Sequence, residues 1–169
     1  MSRVALLLAV ALAAASPSLA LASEEAAGCA AFKWPLDSER AALLASKSPV
    51  ANGGAVPYGA AVALKLQPLD EAGLLQPPER ASKYEPSNAG HFTLAAPQKA
   101  GIYKITVGAD AWIDVIDQGS FLHPKGFSGA KGCEGARKSV KFELPARSLD
   151  IQVSGVRNGE LTAIVTPAE

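Results

Sequence analysis

The most regular feature of the chain is a two-residue alternation of apolar and polar positions that begins near Tyr58 and continues toward the end. Tyr103, Ile105 and Val107 fall on one face of a strand, with Lys104 and Thr106 on the other. Val140, Phe142 and Leu144 alternate with Lys141 and Glu143; Leu149, Ile151 and Val153 with Asp150 and Gln152; Leu161, Ala163 and Val165 with Thr162 and Thr166. Successive side chains of an extended backbone point to opposite faces, so each segment predicts a half-buried strand. Ala61–Leu66, His91–Ala95 and Trp112–Ile116 complete about seven strands. Turn signals separate them at Gly108-Ala109-Asp110, Asp117-Gln118-Gly119 and Arg157-Asn158-Gly159.

Ahead of the strands, Asp37 or Ser38 can cap a short helix over Glu39–Ala45, ended by Ser46–Pro49. Such a helix is marginal alone and must dock on something. No strand–helix–strand alternation follows, so a doubly wound parallel sheet is not expected. The pattern predicts an all-β antiparallel β-sandwich, immunoglobulin-like or jelly-roll, with a short N-terminal helix. The expected division is a signal peptide over 1–22, a helical segment and linker over 23–56, and the sandwich over 57–169. Residues 67–89, with four prolines, read either as a long ordered loop or as strands broken by turns.

The N-terminus changes the picture of where the chain works. Arg3 precedes the uncharged run Val4–Ala15, whose 12 residues would reach roughly 18 Å as a helix, short of a bilayer's roughly 30 Å core. Ala20-Leu21-Ala22 places small residues for cleavage after Ala22, with Ser18-Leu19-Ala20 an earlier choice. This predicts export to the periplasm or beyond, with no membrane span after cleavage. Removal of residues 1–22 leaves 147 residues, with 15 basic and 16 acidic side chains. Two cysteines remain, Cys29 and Cys133, and in an oxidising compartment an even count predicts a disulfide. Closing a loop of roughly 100 residues stabilises by about 4–5 kcal/mol in the chain-entropy account. The rival reading is a lipid anchor, because Ala26-Ala27-Gly28-Cys29 loosely resembles a lipobox, although Glu24 and Glu25 separate it from the apolar run.

Composition narrows the chemistry. The chain has 169 residues with 16 Lys+Arg against 16 Asp+Glu, so no global positive charge is available to displace counterions from nucleic acid. There is no Gly-x-Ser-x-Gly elbow, no phosphate-binding Gly-rich loop entering a helix, and no Cys-x-x-Cys. His91 and His123 are the only histidines and stand in turn-like contexts. Asp110, Asp114 and Asp117 could line one end of the sandwich as a weak calcium site, but read first as turn and edge carboxylates. The remaining option is an aromatic and basic ligand site on the Gly-rich stretch 119–137. Its candidate residues are Trp112, Phe121, His123, Phe127 and Arg137, with Lys125 and Lys138 nearby. No catalytic residue, metal or cofactor is implied. The expectation is a non-catalytic module for an envelope protein, a glycan or a small ligand.

The segments Cys29-Ala30-Ala31-Phe32-Lys33-Trp34-Pro35-Leu36, Gly101–Val107, Trp112-Ile113-Asp114-Val115 and Arg137–Leu144 resemble a group of small exported proteins of Gram-negative bacteria. The resemblance covers nearly all of the chain after Ala22 and implies the same compartment and disulfide. Some members carry the label homogentisate 1,2-dioxygenase. That chemistry implies an iron held by two histidines and a carboxylate, for which this chain would have to use His91 and His123.

Overall fold

The computed structural model describes residues 28–45 and 47–168, so the expected signal segment lies outside the described residues. A 3-10 turn at Gly28–Ala31 precedes helix α1 (Asp37–Leu44). Twelve strands follow: β1 (Ser48–Val50), β2 (Ala55–Val56), β3 (Val62–Lys65), β4 (Gln67–Pro68), β5 (Asn88–Leu94), β6 (Gly101–Val107), β7 (Trp112–Asp117), β8 (Ser120–Leu122), β9 (Gly126–Gly129), β10 (Lys138–Leu144), β11 (Leu149–Val156) and β12 (Glu160–Pro167).

They form two sheets, one ordered β1-β3-β12-β6-β10-β9 and the other β2-β5-β11-β7-β8, with β4 also on β5. The predicted all-β sandwich is thus present. Its pairing discriminates between the two architectures the alternation admits. β3 pairs β12, β5 pairs β11, β6 pairs β10 and β7 pairs β8, all antiparallel and nested one inside the next. Successive nested pairs lie in alternate sheets. The chain therefore behaves as one long two-stranded ribbon rolled up so that β12 meets β6 and β11 meets β7. That is a jelly roll. An immunoglobulin-like sandwich would place its last two strands side by side in one sheet, whereas β11 and β12 lie in opposite sheets.

Two details differ from the expectation. The sheets are mixed rather than purely antiparallel, because β1 joins β3 and β2 joins β5 in parallel register. Helix α1 starts at Asp37, two residues before Glu39, with Leu36 at the N-cap position and no side-chain cap. Leu36 is buried in a small apolar cluster with Ala130, Cys133 and Ala136, and this burial sets the helix start. The Ser38 hydroxyl donates to Glu39 instead of capping.

The core lies between the sheets. Phe92, Phe142, Leu64, Leu94, Ile105, Leu144, Ile151 and Leu161 are its largest fully buried apolar side chains. By area bookkeeping, each such residue contributes about 1.5–3 kcal/mol relative to an exposed state. The inward positions are those the alternation selects. Some of the outward positions are not left to solvent, however. Lys104, Thr106 and Ser139 on the outer face of the first sheet are buried, as are Asp114, Gln152 and Ser154 on the outer face of the second.

Candidate functional site

Two irregular segments account for those buried polar residues. The first is the N-terminal strap, residues 28–45, across the β6/β10/β12 face. The backbone N–H of Lys33 donates to Ser128 Oγ (2.9 Å), and Trp34 Nε1 donates to Ser139 Oγ (3.1 Å). Lys104 Nζ lies 2.7 Å from Glu39 Oε1, which also accepts from Thr166 Oγ1 at 2.6 Å. Burial alone would raise the Glu39 pKa, but hydrogen bonds from Lys104, Thr166 and Ser38 outweigh it and hold the carboxyl below its ordinary value. The predicted Cys29–Cys133 disulfide is formed, with its Cα atoms 4.5 Å apart. It ties the strap to the segment after β9.

The second covering is the 69–87 segment, lying over the outer face of the β5/β11/β7 sheet. Irregular loops must satisfy their backbone groups, and this one does so on a buried polar pair. Gln152 Nε2 donates to Asp114 Oδ2 (3.1 Å) and to the Gln76 carbonyl (3.1 Å). Asp114 accepts from the Trp112 indole N–H through its other oxygen. The Trp112 ring is thereby oriented at the end of β7, where the 69–87 segment meets β9 and β10.

A cleft of about 430 Å³ opens there, beside a hollow of about 50 Å³ that shares Arg80, Lys83, Asp110, Trp112 and Lys138 with it. Trp112 and Ile113 come from β7, Phe127 and Ser128 from β9, Lys138 and Val140 from β10, and Glu79, Arg80 and Lys83 from the covering loop. Arg137 and Asp110 complete the charged lining. The Arg80 guanidinium and the Lys138 ammonium lie over the Trp112 ring, 5.5 and 5.1 Å from its centroid. Asp110 accepts from Tyr84 (3.2 Å) and sits 3.7 Å from the Arg137 guanidinium. Burial pushes the Lys138 pKa down; Asp110 opposes this, while Lys83, Arg80 and Arg137 add to it. Phe127, at 65% exposure, forms an apolar rim.

Of the five expected ligand residues, Trp112, Phe127 and Arg137 line this cleft and Phe121 and His123 do not. Phe121 pairs with Ile116 on the β7–β8 hairpin, and His123 follows that hairpin in an exposed position. The stretch 119–137 is not one loop, since it contains β8 and β9. Its glycines serve more than flexibility. Gly135 has φ of +83°, and a Cβ there would meet Leu44 Cγ at 2.8 Å, so this glycine lets the strap helix approach.

The other candidate chemistries do not assemble. His91 and His123 are separated across their sheet by β11 and β7. Among the described residues no three His, Cys, Asp or Glu side chains converge as a metal site. Asp110, Asp114 and Asp117 each have separate donors, the last being paired with Arg147. Sequence reading missed Arg80 and Lys83. The available signal was the length of the Pro-rich segment carrying them, since unstructured connections beyond roughly 12–15 residues in compact domains are usually functional or disordered.

Comparison with known protein families, with curated proteins and with solved structures yields no match.

Proposed function

We propose that this chain is an exported, periplasmic, non-catalytic binding module that takes its ligand in the Trp112–Phe127–Arg137 cleft. The carrying observation is that residues from three strands and a tethered loop converge on one preformed cleft. Preformed concave sites with an aromatic lining and a few convergent polar groups are the usual form of ligand sites. A jelly roll hosts many functions, so the site and not the fold carries the reading.

The N-terminal signal pattern and the disulfide support the compartment, since both fit an oxidising environment. Among the described residues no helix is long and apolar enough to cross a membrane. With both cysteine sulfurs in one disulfide, Cys29 has no thiol left for a lipid thioether. The resemblance to small exported proteins of Gram-negative bacteria agrees with this reading. Within it, a glycan or small ligand is favoured over an envelope protein, because the cleft is a concavity of small-molecule size.

The test is native mass spectrometry of the protein isolated from its own cell envelope, alongside Phe127→Ala. A chain beginning at Ser23, two hydrogens lighter than its reduced form and carrying a small adduct that Phe127→Ala loses, is the expected result. A lipid-sized covalent increment on Cys29 would overturn the disulfide and with it the unanchored reading. An adduct retained by Phe127→Ala would place the site elsewhere, and a bare chain would overturn small-ligand capture.

A further inference from the structure

We propose that the ligand of this cleft is a small organic oxyanion, a carboxylate or phosphate borne on an apolar ring or chain. Arg80, Lys83, Arg137 and Lys138 hold its charge, and Phe127 and Pro124 cover its apolar body. The proposal rests on the binding-module reading above and specifies its ligand chemistry.

Charge accounting comes first. The whole chain balances 16 cations against 16 carboxylates, so a local excess is not a by-product of composition. In the cleft four cations face two carboxylates, Glu79 and Asp110. Among the described residues Arg137 alone of the four has a carboxylate within 4 Å, namely Asp110. Arg80, Lys83 and Lys138 take part in none of the ion pairs found there. Like charges gathered beside a low-dielectric wall repel. An anion entering between them relieves that repulsion and also reverses the pressure on the Lys138 ammonium.

Three of the four donors, Arg80, Arg137 and Lys138, are held by contacts within the protein. Lys138 gives one hydrogen to the Ala111 carbonyl at 2.7 Å, which leaves two for a ligand. Arg80 is carried by a loop whose neighbouring Glu79 backbone N–H donates to Asp114 Oδ2 at 3.4 Å. The Trp112 ring holds Arg80 and Lys138 by cation–π attraction. Because these cations cover the ring, Trp112 positions charge instead of offering a bare platform for a neutral sugar. A second observation is independent of the cations. Ser154, 2% exposed, lines the neighbouring hollow with Arg80, Lys83 and Lys138, and its hydroxyl has no hydrogen-bond partner. A buried hydroxyl without a partner is uncommon in a folded protein, and a bound oxyanion would accept a hydrogen bond from it. The exposed Phe127 ring explains why the anion carries an apolar body.

The test uses three probes on ¹⁵N-labelled, disulfide-intact protein at low salt: phenyl phosphate, inorganic phosphate and phenyl β-glucoside. Trp34 and Trp112 are the two tryptophans, so two indole N–H signals report, assigned with Trp34→Phe. Phenyl phosphate is expected to move the Trp112 signal and leave that of Trp34 in place. It should bind about tenfold more tightly than inorganic phosphate, with salt weakening both. Arg80→Gln with Lys83→Gln, both at exposed positions, should weaken phenyl phosphate by about tenfold, while Phe127→Ala weakens it without affecting inorganic phosphate. Phenyl β-glucoside binding as tightly as phenyl phosphate, unaltered in the double variant, would overturn the anion assignment and keep the cleft as a binding site. No movement of Trp112 with any probe would also overturn the assignment. The co-purified adduct, which does not depend on charge, then judges the binding-module reading separately.

Discussion

The two outer faces of the jelly roll are covered in opposite ways. Over the β6/β10/β12 face the strap closes off the buried polar groups: Lys104 meets Glu39, Trp34 meets Ser139, Lys141 lies over the Trp34 ring, and Leu36 fills a small apolar cluster beside the disulfide. Over the other face the 69–87 segment is tethered by Gln152 and Asp114, yet its next residues deliver Arg80 and Lys83 to a cleft already holding Lys138 and Arg137. Covering segments thus pair the buried charge in one place and gather unpaired cations in the other. Closed ion pairs and an apolar cluster are what a structural covering requires. Three cations without carboxylate partners fit the proposed ligand site, since functional sites commonly yield stability for binding.

The contrast is broken most strongly at the disulfide. Replacing Cys29 and Cys133 by serine should cost about 4 kcal/mol, read as a lower midpoint in urea, since a link across 104 residues leaves the unfolded chain. Because Ser128 and Phe127 contact Lys33 of the strap, the cleft should also loosen, seen as weaker phenyl phosphate binding. Next is Glu39→Gln, which leaves the Lys104 ammonium buried without its counter-charge and should cost about 3 kcal/mol. Replacing both partners by apolar residues, Glu39→Leu with Lys104→Met, should recover most of that loss.

The same carboxyl sets a pH dependence. Its folded pKa lies below its unfolded value, so its contribution is present above the ordinary glutamate range, near pH 4.3, and is lost as pH falls through the folded pKa. Glu39→Gln should therefore flatten the stability profile on the acid side, checked by thermal melts from neutral pH to about pH 3. Gly135→Ala should cost about 2 kcal/mol, from a positive φ and the contact with Leu44. Smallest is the Arg80→Gln, Lys83→Gln pair, expected to shift stability by less than about 0.5 kcal/mol while weakening phenyl phosphate about tenfold. A loss as large as that at Glu39 would make the cations structural and erase the distinction between the two coverings.

Much of the strand content was legible along the chain. Tyr103, Ile105, Val107, Val140, Phe142 and Leu144 were assigned inward from alternation and are buried. Lys104 and Thr106 were assigned to the polar face, and nothing local indicates that the strap buries them. β8 and β9 were read as part of one Gly-rich loop because three- and four-residue strands carry too few alternations to register. The candidate site was half legible. Trp112, Phe127 and Arg137 lie close in the later sequence and share the cleft, whereas Phe121 and His123, drawn from the same stretch, face elsewhere on the β7–β8 side. Arg80 and Lys83 were invisible as site residues, since their neighbours in space are more than twenty positions away.

The amino-acid sequence by itself determined where the longer strands extend and which of their faces turn inward, and its two cysteines made one disulfide the first reading. These are local or counting properties: a side-chain period of two, and one available partner. The tertiary structure decided the rest. Nested pairing of β3 with β12, β5 with β11 and β6 with β10 selects a jelly roll over an immunoglobulin-like sandwich, and alternation within a strand says nothing about its neighbour. The gathering of Arg80, Lys83, Arg137 and Lys138 is likewise non-local. Charges neutral in sum along the chain become a field only when folding sets them around one cleft.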